Sequence, residues 1–123
     1  MATIVPFSRA ECIAVACRSG TIPRVRVACT FASRCMGLLN RSRLDEEEGL
    51  LLIPGYSVHT WWMRFSIDVI FLDAQLEVLH VVSNLRPWRI ALAPPDTHCV
   101  LELAAGVAER SGIERGIRLR ICR

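Results

Sequence analysis

Two carboxylates lie in segments that are otherwise too apolar to be exposed. Asp68 belongs to the apolar segment 66–73, and Glu102 belongs to the apolar segment 100–103. A strand that is apolar on both faces is buried, so each carboxylate must be paired or hydrogen-bonded there, or its pKa rises. Two such carboxylates in one pocket, with His59 assisting, would supply the general acid and base of a hydrolase-like enzyme.

The simpler interpretation of both carboxylates is structural. An arginine, with Arg34 and Arg64 as candidates, or a set of backbone N–H groups would then satisfy each of them. Because structural ion pairs perturb pKa values as well, we favour this interpretation over catalysis. It predicts that Arg34→Ala or Asp68→Asn lowers the melting temperature.

Three tryptophans lie beside arginines where loops meet strands. Trp61 and Trp62 precede Arg64, and Trp88 precedes Arg89. Because neighbours on a strand point in opposite directions, one tryptophan of the adjacent pair is expected in the core and the other outside it. Aromatic and guanidinium groups together bind sugars, bases or peptides. The groove predicted from this pattern is lined by Trp61, Trp62, Met63, Trp88, Arg89 and His59, with Arg34, Asp68 and Glu102 beneath.

The composition excludes several classes of protein. The chain has 123 residues, of which 52% are hydrophobic and 22% are charged, and this favours one globular domain. A net charge of +3 is too small to indicate a nucleic-acid partner, and the apolar runs are too short for a membrane span. Neither the histidines nor the acidic run 45–48 has the spacing of metal ligands, and no phosphate-binding or dinucleotide motif occurs. We therefore expect no metal and no cofactor.

The cysteines and the first ten residues indicate the cellular compartment of the protein. No C-x-x-C motif occurs, and the stretch 1–10 lacks the continuous apolar segment of a signal peptide. We interpret the cysteines as buried, reduced thiols of a cytoplasmic protein. They are Cys12, Cys17, Cys29, Cys35, Cys99 and Cys122.

The elements that must position these side chains are short strands. Residues 1–11 are predicted to be a loose lead-in, and 12–123 a single β-rich domain. Turn residues predict hairpins over 12–30 and 66–83, and helices are predicted at 31–39 and 106–111. The predicted fold class is α+β, a mostly antiparallel β-sandwich or small barrel with two short helices.

Four ordered motifs resemble those of a known family. Arg34-Cys-Met-Gly-Leu38, Glu48-Gly-Leu-Leu51, the segment from His59 to Asp73, and Leu101-Glu-Leu-Ala-Ala-Gly106 follow the order seen in the bacterial and archaeal family called domain of unknown function 192. The resemblance covers residues 25–121 and implies a β-rich, sandwich-like domain without an established activity. Many relatives look exported or lipid-anchored. The positions that match the family motifs are Arg34, Gly37, Leu38, Met63, Asp68, Phe71, Asp73, Glu102 and Gly106.

These observations favour a non-catalytic binding module over an enzyme. Its ligand would be a small molecule, a glycan or a peptide. One alternative is the hydrolase-like enzyme, which requires both carboxylates to reach one concave point. The other is a protein-interaction subunit, which would show a flat apolar surface and no pocket.

Overall fold

The computed structural model describes residues 12–28 and 41–122, and this part of the chain contains nine strands and one short helix. The lead-in at 1–11 and the helix predicted at 31–39, with Arg34, Gly37 and Leu38, lie outside the described residues. The elements are β1 (Cys12–Cys17), β2 (Gly20–Ala28), β3 (Glu48–Leu52), β4 (Val58–His59), β5 (Ile67–Leu72), β6 (Val78–Leu85), β7 (Ile90–Ala91), β8 (Cys99–Ala104), α1 (Val107–Arg110) and β9 (Arg120–Cys122).

Seven of these strands form one mixed sheet in the order β6-β5-β8-β3-β2-β1-β9. All neighbouring pairs are antiparallel except β2 and β3, which are parallel. The remaining two strands, β4 and β7, form a separate antiparallel ribbon. The prediction of a mostly antiparallel, β-rich fold and of the β1–β2 and β5–β6 hairpins is confirmed.

The barrel prediction is wrong because the sheet does not close. Its edge strands are β6 and β9, and an isolated bridge between Glu77 and Arg118 joins the segments that precede them. In the described part of the chain the second layer is the two-stranded ribbon and not a second full sheet. Helix is limited there to the four residues of α1, within the helix predicted at 106–111, so the described part of the chain is mostly β with little helix and does not support two short helices.

The central strands are buried on both faces, as their composition predicts. Every residue of β5 is buried, and β8 is buried from Cys99 to Leu103. Alternate side chains separate into two clusters. The helix face packs Ile70, Leu101 and Leu103 with Val107 and Ala108 of α1. The ribbon face packs Leu50, Val69 and Phe71 with Val58, Met63 and Ala91 from the ribbon and its adjoining loop.

Gly55 allows the chain to leave β3 and enter the ribbon. It lies against β8, where a Cβ atom would come within 2.6 Å of the Cys99 carbonyl carbon. Its N–H donates to the His98 carbonyl oxygen at 2.8 Å. Because real Cβ atoms do not approach backbone this closely, only glycine fits here, and the contact fixes where the ribbon crosses the sheet.

Candidate functional site

Asp68 is a structural anchor on the helix face. It is 1% exposed, and its Oδ1 accepts the Asn84 N–H at 2.9 Å. Its Oδ2 accepts the N–H groups of Gly106 and Ala108, both at 3.0 Å. The Asp68 carboxylate thus links strand β6 and the start of α1 to the central strand β5. Its partners are backbone N–H groups, which were one of the two alternatives predicted from the sequence.

Glu102 lies one strand away and is buried in a different environment. It is 6% exposed and sits opposite Leu50 on β3 and Val69 on β5. Burial raises the pKa of its carboxyl to about 7. Within residues 12–28 and 41–122 it makes no hydrogen bond or salt bridge, so desolvation of the charged form dominates its behaviour.

The two carboxylates face opposite sides of the sheet. Asp68 is paired in register with Leu103, whose side chain is on the helix face, whereas Glu102 is paired with Val69, whose side chain is on the ribbon face. Residues directly opposite each other on neighbouring strands share a face. Asp68 and Glu102 therefore do not line one pocket, and His59, which is exposed on the ribbon, does not join them into a catalytic group.

Thr60 joins the two loops that carry the tryptophans. It is fully buried, and its Oγ1 accepts the Arg89 N–H at 2.9 Å and donates to the Arg86 carbonyl oxygen. Its own N–H donates to the Arg89 carbonyl oxygen, and its carbonyl oxygen accepts the N–H groups of Trp88 and Met63. The loop after β4 and the loop before β7 are therefore held in one fixed arrangement.

Trp62 and Trp88 form an exposed corner in these loops. Their backbones have positive φ values of 71° and 66°, and their side chains are 69% and 53% exposed. The rings meet edge to face with centroids 4.8 Å apart. Bulky residues rarely adopt this backbone conformation, so the surrounding hydrogen bonds must enforce it.

The prediction that one tryptophan of the adjacent pair lies in the core is wrong. Trp61 is 43% exposed as well, and Met63, at 7%, takes the core position instead. Residues 61 and 62 form a turn, and the left-handed backbone at Trp62 breaks the alternation expected of a strand.

The exposed apolar side chains continue along the ribbon. His59 and Ile90 are paired in register on its outer side, and the His59 ring stacks on Trp61 at a centroid distance of 4.7 Å. Ile90 and Leu92 are 54% and 75% exposed. We call the set Trp61, Trp62, Trp88, Ile90 and Leu92 the aromatic surface.

Three exposed arginines lie within two residues of Trp62 or Trp88 along the chain. They are Arg64, Arg86 and Arg89, and none of them forms a salt bridge with any residue in the described ranges. The two segments that build the surface, 54–67 and 83–95, contain no Asp or Glu. The local charge is therefore positive, although the whole chain carries only +3.

The fold places some of the residues predicted to line the groove close to one another. Trp61, Trp62, Trp88 and Arg89 lie on adjoining loops, Met63 packs beneath them, and Glu102 faces the same side of the sheet. Asp68 faces the other side, and Arg34 lies outside the described residues.

The other motif residues have structural contacts. Phe71 is fully buried on the ribbon face, and Asp73 Oδ1 accepts the N–H groups of Gln75 and Glu77 in the β5–β6 turn, both at 2.9 Å. Gly106 has a φ of 94°, a conformation that suits glycine, and it precedes α1. These three positions support the elements around the candidate site and do not contribute to its surface.

The cysteines differ from one another in burial. Cys99 is fully buried, and burial together with the Asp73 carboxylate raises the pKa of its thiol to about 11. Cys12 and Cys122 are exposed, which corrects the prediction that all six are buried. In the described ranges no three His, Cys, Asp or Glu side chains are grouped as metal ligands. No helix there is long and apolar enough to cross a membrane.

Two features were missed from the sequence. Thr60 carries no signal in composition or spacing, because its role depends on loops that meet only in the fold. A cavity of about 410 Å³ also opens between β6 and the segment that follows α1, with His80, Ser83, Glu109 and Arg115 among its lining residues. It lies on the helix side and away from the tryptophans.

Proteins of known sequence and structure resemble this chain over most of its length. It is 31% identical over 101 residues to a UPF0127 protein of Pyrococcus horikoshii, covering 78% of this chain and 85% of that protein. It is 33% identical over 100 residues to a UPF0127 protein of Pyrococcus furiosus, covering 77% and 84%. The crystal structure of a protein of unknown function from Novosphingobium aromaticivorans aligns with a TM-score of 0.77 at 28% identity, covering 89% of this chain and 83% of that one.

The family comparison agrees with these similarities. The model of the family described as uncharacterized ACR, domain of unknown function 192, matches residues 14–121. That range contains all four sequence motifs in their expected order. The chain belongs to the family called domain of unknown function 192.

Proposed function

We propose that the chain is a non-catalytic binding module whose ligand, a small molecule, glycan or peptide, contacts the aromatic surface and its arginines. The carrying observation is that buried Thr60 holds exposed Trp62 and Trp88 in positive-φ backbone. Such backbone costs about 1–3 kcal/mol per residue and persists where its surroundings enforce it. A rigid exposed indole offers a large contact area with little conformational entropy to lose on binding.

The geometry gives no comparable support to a hydrolase with paired carboxylates. Asp68 uses both oxygens to accept backbone N–H groups, and Glu102 faces the other side of the sheet. Neither residue is placed to reach a reacting atom together with the other. A cytoplasmic location for the binding module remains a prediction from the sequence.

The proposal is tested with a neutral apolar fluorophore, N-phenyl-1-naphthylamine, whose emission rises in apolar surroundings. We expect saturable binding to the wild-type chain and at least 10-fold weaker binding to the double variant Trp62→Ala, Trp88→Ala. Ile121→Ala is the matched control, because Ile121 is an exposed apolar side chain on β9. Equal binding by the wild type and the double variant contradicts the proposal.

A further inference from the structure

We infer that the aromatic surface docks an acidic protein segment, in which apolar side chains contact Trp62 and Trp88 and carboxylates contact Arg64, Arg86 and Arg89. This inference rests on the proposed function and specifies the chemistry of its ligand. It depends on three features of the surface: its charge, the shape of its aromatic corner and its area.

The charge of the surface selects an anionic occupant. Of the other arginines in the described ranges, Arg18, Arg24, Arg41, Arg43 and Arg110 lie within salt-bridge distance of carboxylates, whereas Arg115, Arg118 and Arg120 do not. The arginines beside the tryptophans have no such partner in those ranges, and the segments that carry them lack acidic residues. Guanidinium groups bind carboxylates in a bidentate manner, so this surface is complementary to Asp and Glu side chains.

The shape of the corner favours side chains over sugar rings. Trp62 and Trp88 meet at an interplanar angle of 62°, so the two rings form an angled corner and not one continuous flat face. Ile90 and Leu92 extend the surface with branched aliphatic groups. Tryptophan and arginine, together with tyrosine, are the residues most enriched at the energetic centres of protein interfaces.

The area of the surface fits a segment better than a second copy of this chain. Its five apolar side chains are between 43% and 75% exposed, which leaves roughly 440–740 Å² accessible if a fully exposed large side chain offers ~150–250 Å². A stable interface buries about 800 Å² on each partner. A second copy would also bring its own arginines against these, and like charges across an interface disfavour association.

Three synthetic peptides of 12 residues test the inference. Each has the same four leucines, and the other eight positions are all Glu, all Gln or all Lys. By calorimetry at low salt we expect the Glu peptide to bind at least 10-fold more tightly than the Gln peptide, and the Lys peptide not to bind. The variant Arg64→Gln, Arg86→Gln, Arg89→Gln should bind the Glu and Gln peptides equally.

The control removes the same charge elsewhere. Arg115→Gln, Arg118→Gln, Arg120→Gln alters three exposed arginines of the segment that leads into and forms β9, and it should bind the Glu peptide as the wild type does. Equal loss in both triple variants overturns the inference.

Other outcomes separate the inference from the proposed function. Two outcomes contradict the inference but not the proposed function: the Gln peptide binds as tightly as the Glu peptide, or no peptide binds while the fluorophore does. In either case the ligand is not an acidic segment, but the aromatic surface still binds a ligand. If the wild type is a dimer that the substitutions at Trp62 and Trp88 dissociate, the occupant is a second copy and the inference is overturned.

Discussion

Among the residues that the structure describes, each face of the central sheet holds one buried carboxylate, and the two carboxylates have opposite surroundings. On the helix face Asp68 accepts three backbone N–H groups, which replace the water that it loses on folding. On the ribbon face Glu102 lies among aliphatic side chains, and burial raises the pKa of its carboxyl to about 7. The comparison teaches that burial alone does not decide whether a carboxylate stabilises a fold. The donors that face it decide that.

The largest loss of stability is expected from Asp68→Asn, which removes the charged acceptor on the helix face. The amide cannot accept all three N–H groups, and hydrogen bonds to a charged group are worth about 1.5–3 kcal/mol each. Urea unfolding should show a loss of about 3–5 kcal/mol. Asp73→Asn is the control, because Asp73 serves a more exposed turn, and its loss should be smaller. If the wild type and Asp68→Asn are equally stable, Asp68 does not anchor β6 and α1 to the central strand.

Glu102→Gln tests the carboxylate on the ribbon face. At pH 8 it should raise the stability of the fold, whereas Asp68→Asn lowers it. Because the folded pKa of Glu102 is raised from 4.5 to about 7, the folded state binds the proton more tightly, and stability is lost as pH rises through this window. At ~1.4 kcal/mol per pKa unit, the wild type should lose about 3 kcal/mol between pH 4.5 and 8 that the variant retains. The measurement is unfolding free energy against pH for both proteins. Parallel curves would show that Glu102 is solvated in the folded state.

Thr60→Val tests whether the ribbon keeps water away from Glu102. The substitution leaves the Arg89 N–H and the Arg86 carbonyl oxygen without their side-chain partner, at a cost of about 1–3 kcal/mol. With the ribbon loosened, the pH dependence assigned to Glu102 should weaken, and the near-ultraviolet circular dichroism of the tryptophans should fall. Thr60→Ser keeps the hydroxyl and should preserve both signals. If the serine and valine variants behave alike, the hydroxyl does not hold these loops.

The smallest effect is expected from Arg41→Gln, at a third carboxylate near the surface. Burial opposes ionisation of Glu48, but hydrogen bonds from the Arg41 side chain, at 2.7 Å, and the Asp45 N–H outweigh it and lower the Glu48 pKa. A lowered pKa gives stability above the unfolded value of 4.5 that is lost in acid, the reverse of Glu102. The variant should lose under about 1 kcal/mol at pH 7, as partly exposed pairs do, and almost nothing at pH 3.

Some of the fold follows directly from local sequence. The segment around Asp68 is apolar at both alternating sets of positions, and the strand it forms is buried on both faces. Turn residues at Ser19-Gly20 and at Asp73 similarly locate both hairpins. Each of these inferences uses residues that are close in sequence, where periodicity and turn chemistry act.

The relation between the two carboxylates could not be predicted in this way. Whether Asp68 and Glu102 share a face depends on the register of β5 against β8, and a shift of one residue would reverse the answer. The orientation of Trp62 depends likewise on a left-handed turn held by Thr60, whose partners lie more than 25 residues away along the chain. Long-range pairing, and not propensity, determines both features.

The position of β9 has a consequence for the order in which the molecule folds. Its residues pair with β1, Ala14 opposite Cys122 and Ala16 opposite Arg120, so the contact spans nearly all of the described chain. Closing so long a loop carries a large entropic cost, and folds rich in distant contacts form slowly. All three residues of β9 are exposed, and among the described strands β1 is its one neighbour in the sheet order. Amide hydrogens of β9 should therefore exchange with solvent well before those of β5, making β9 the last strand to dock and the first to open.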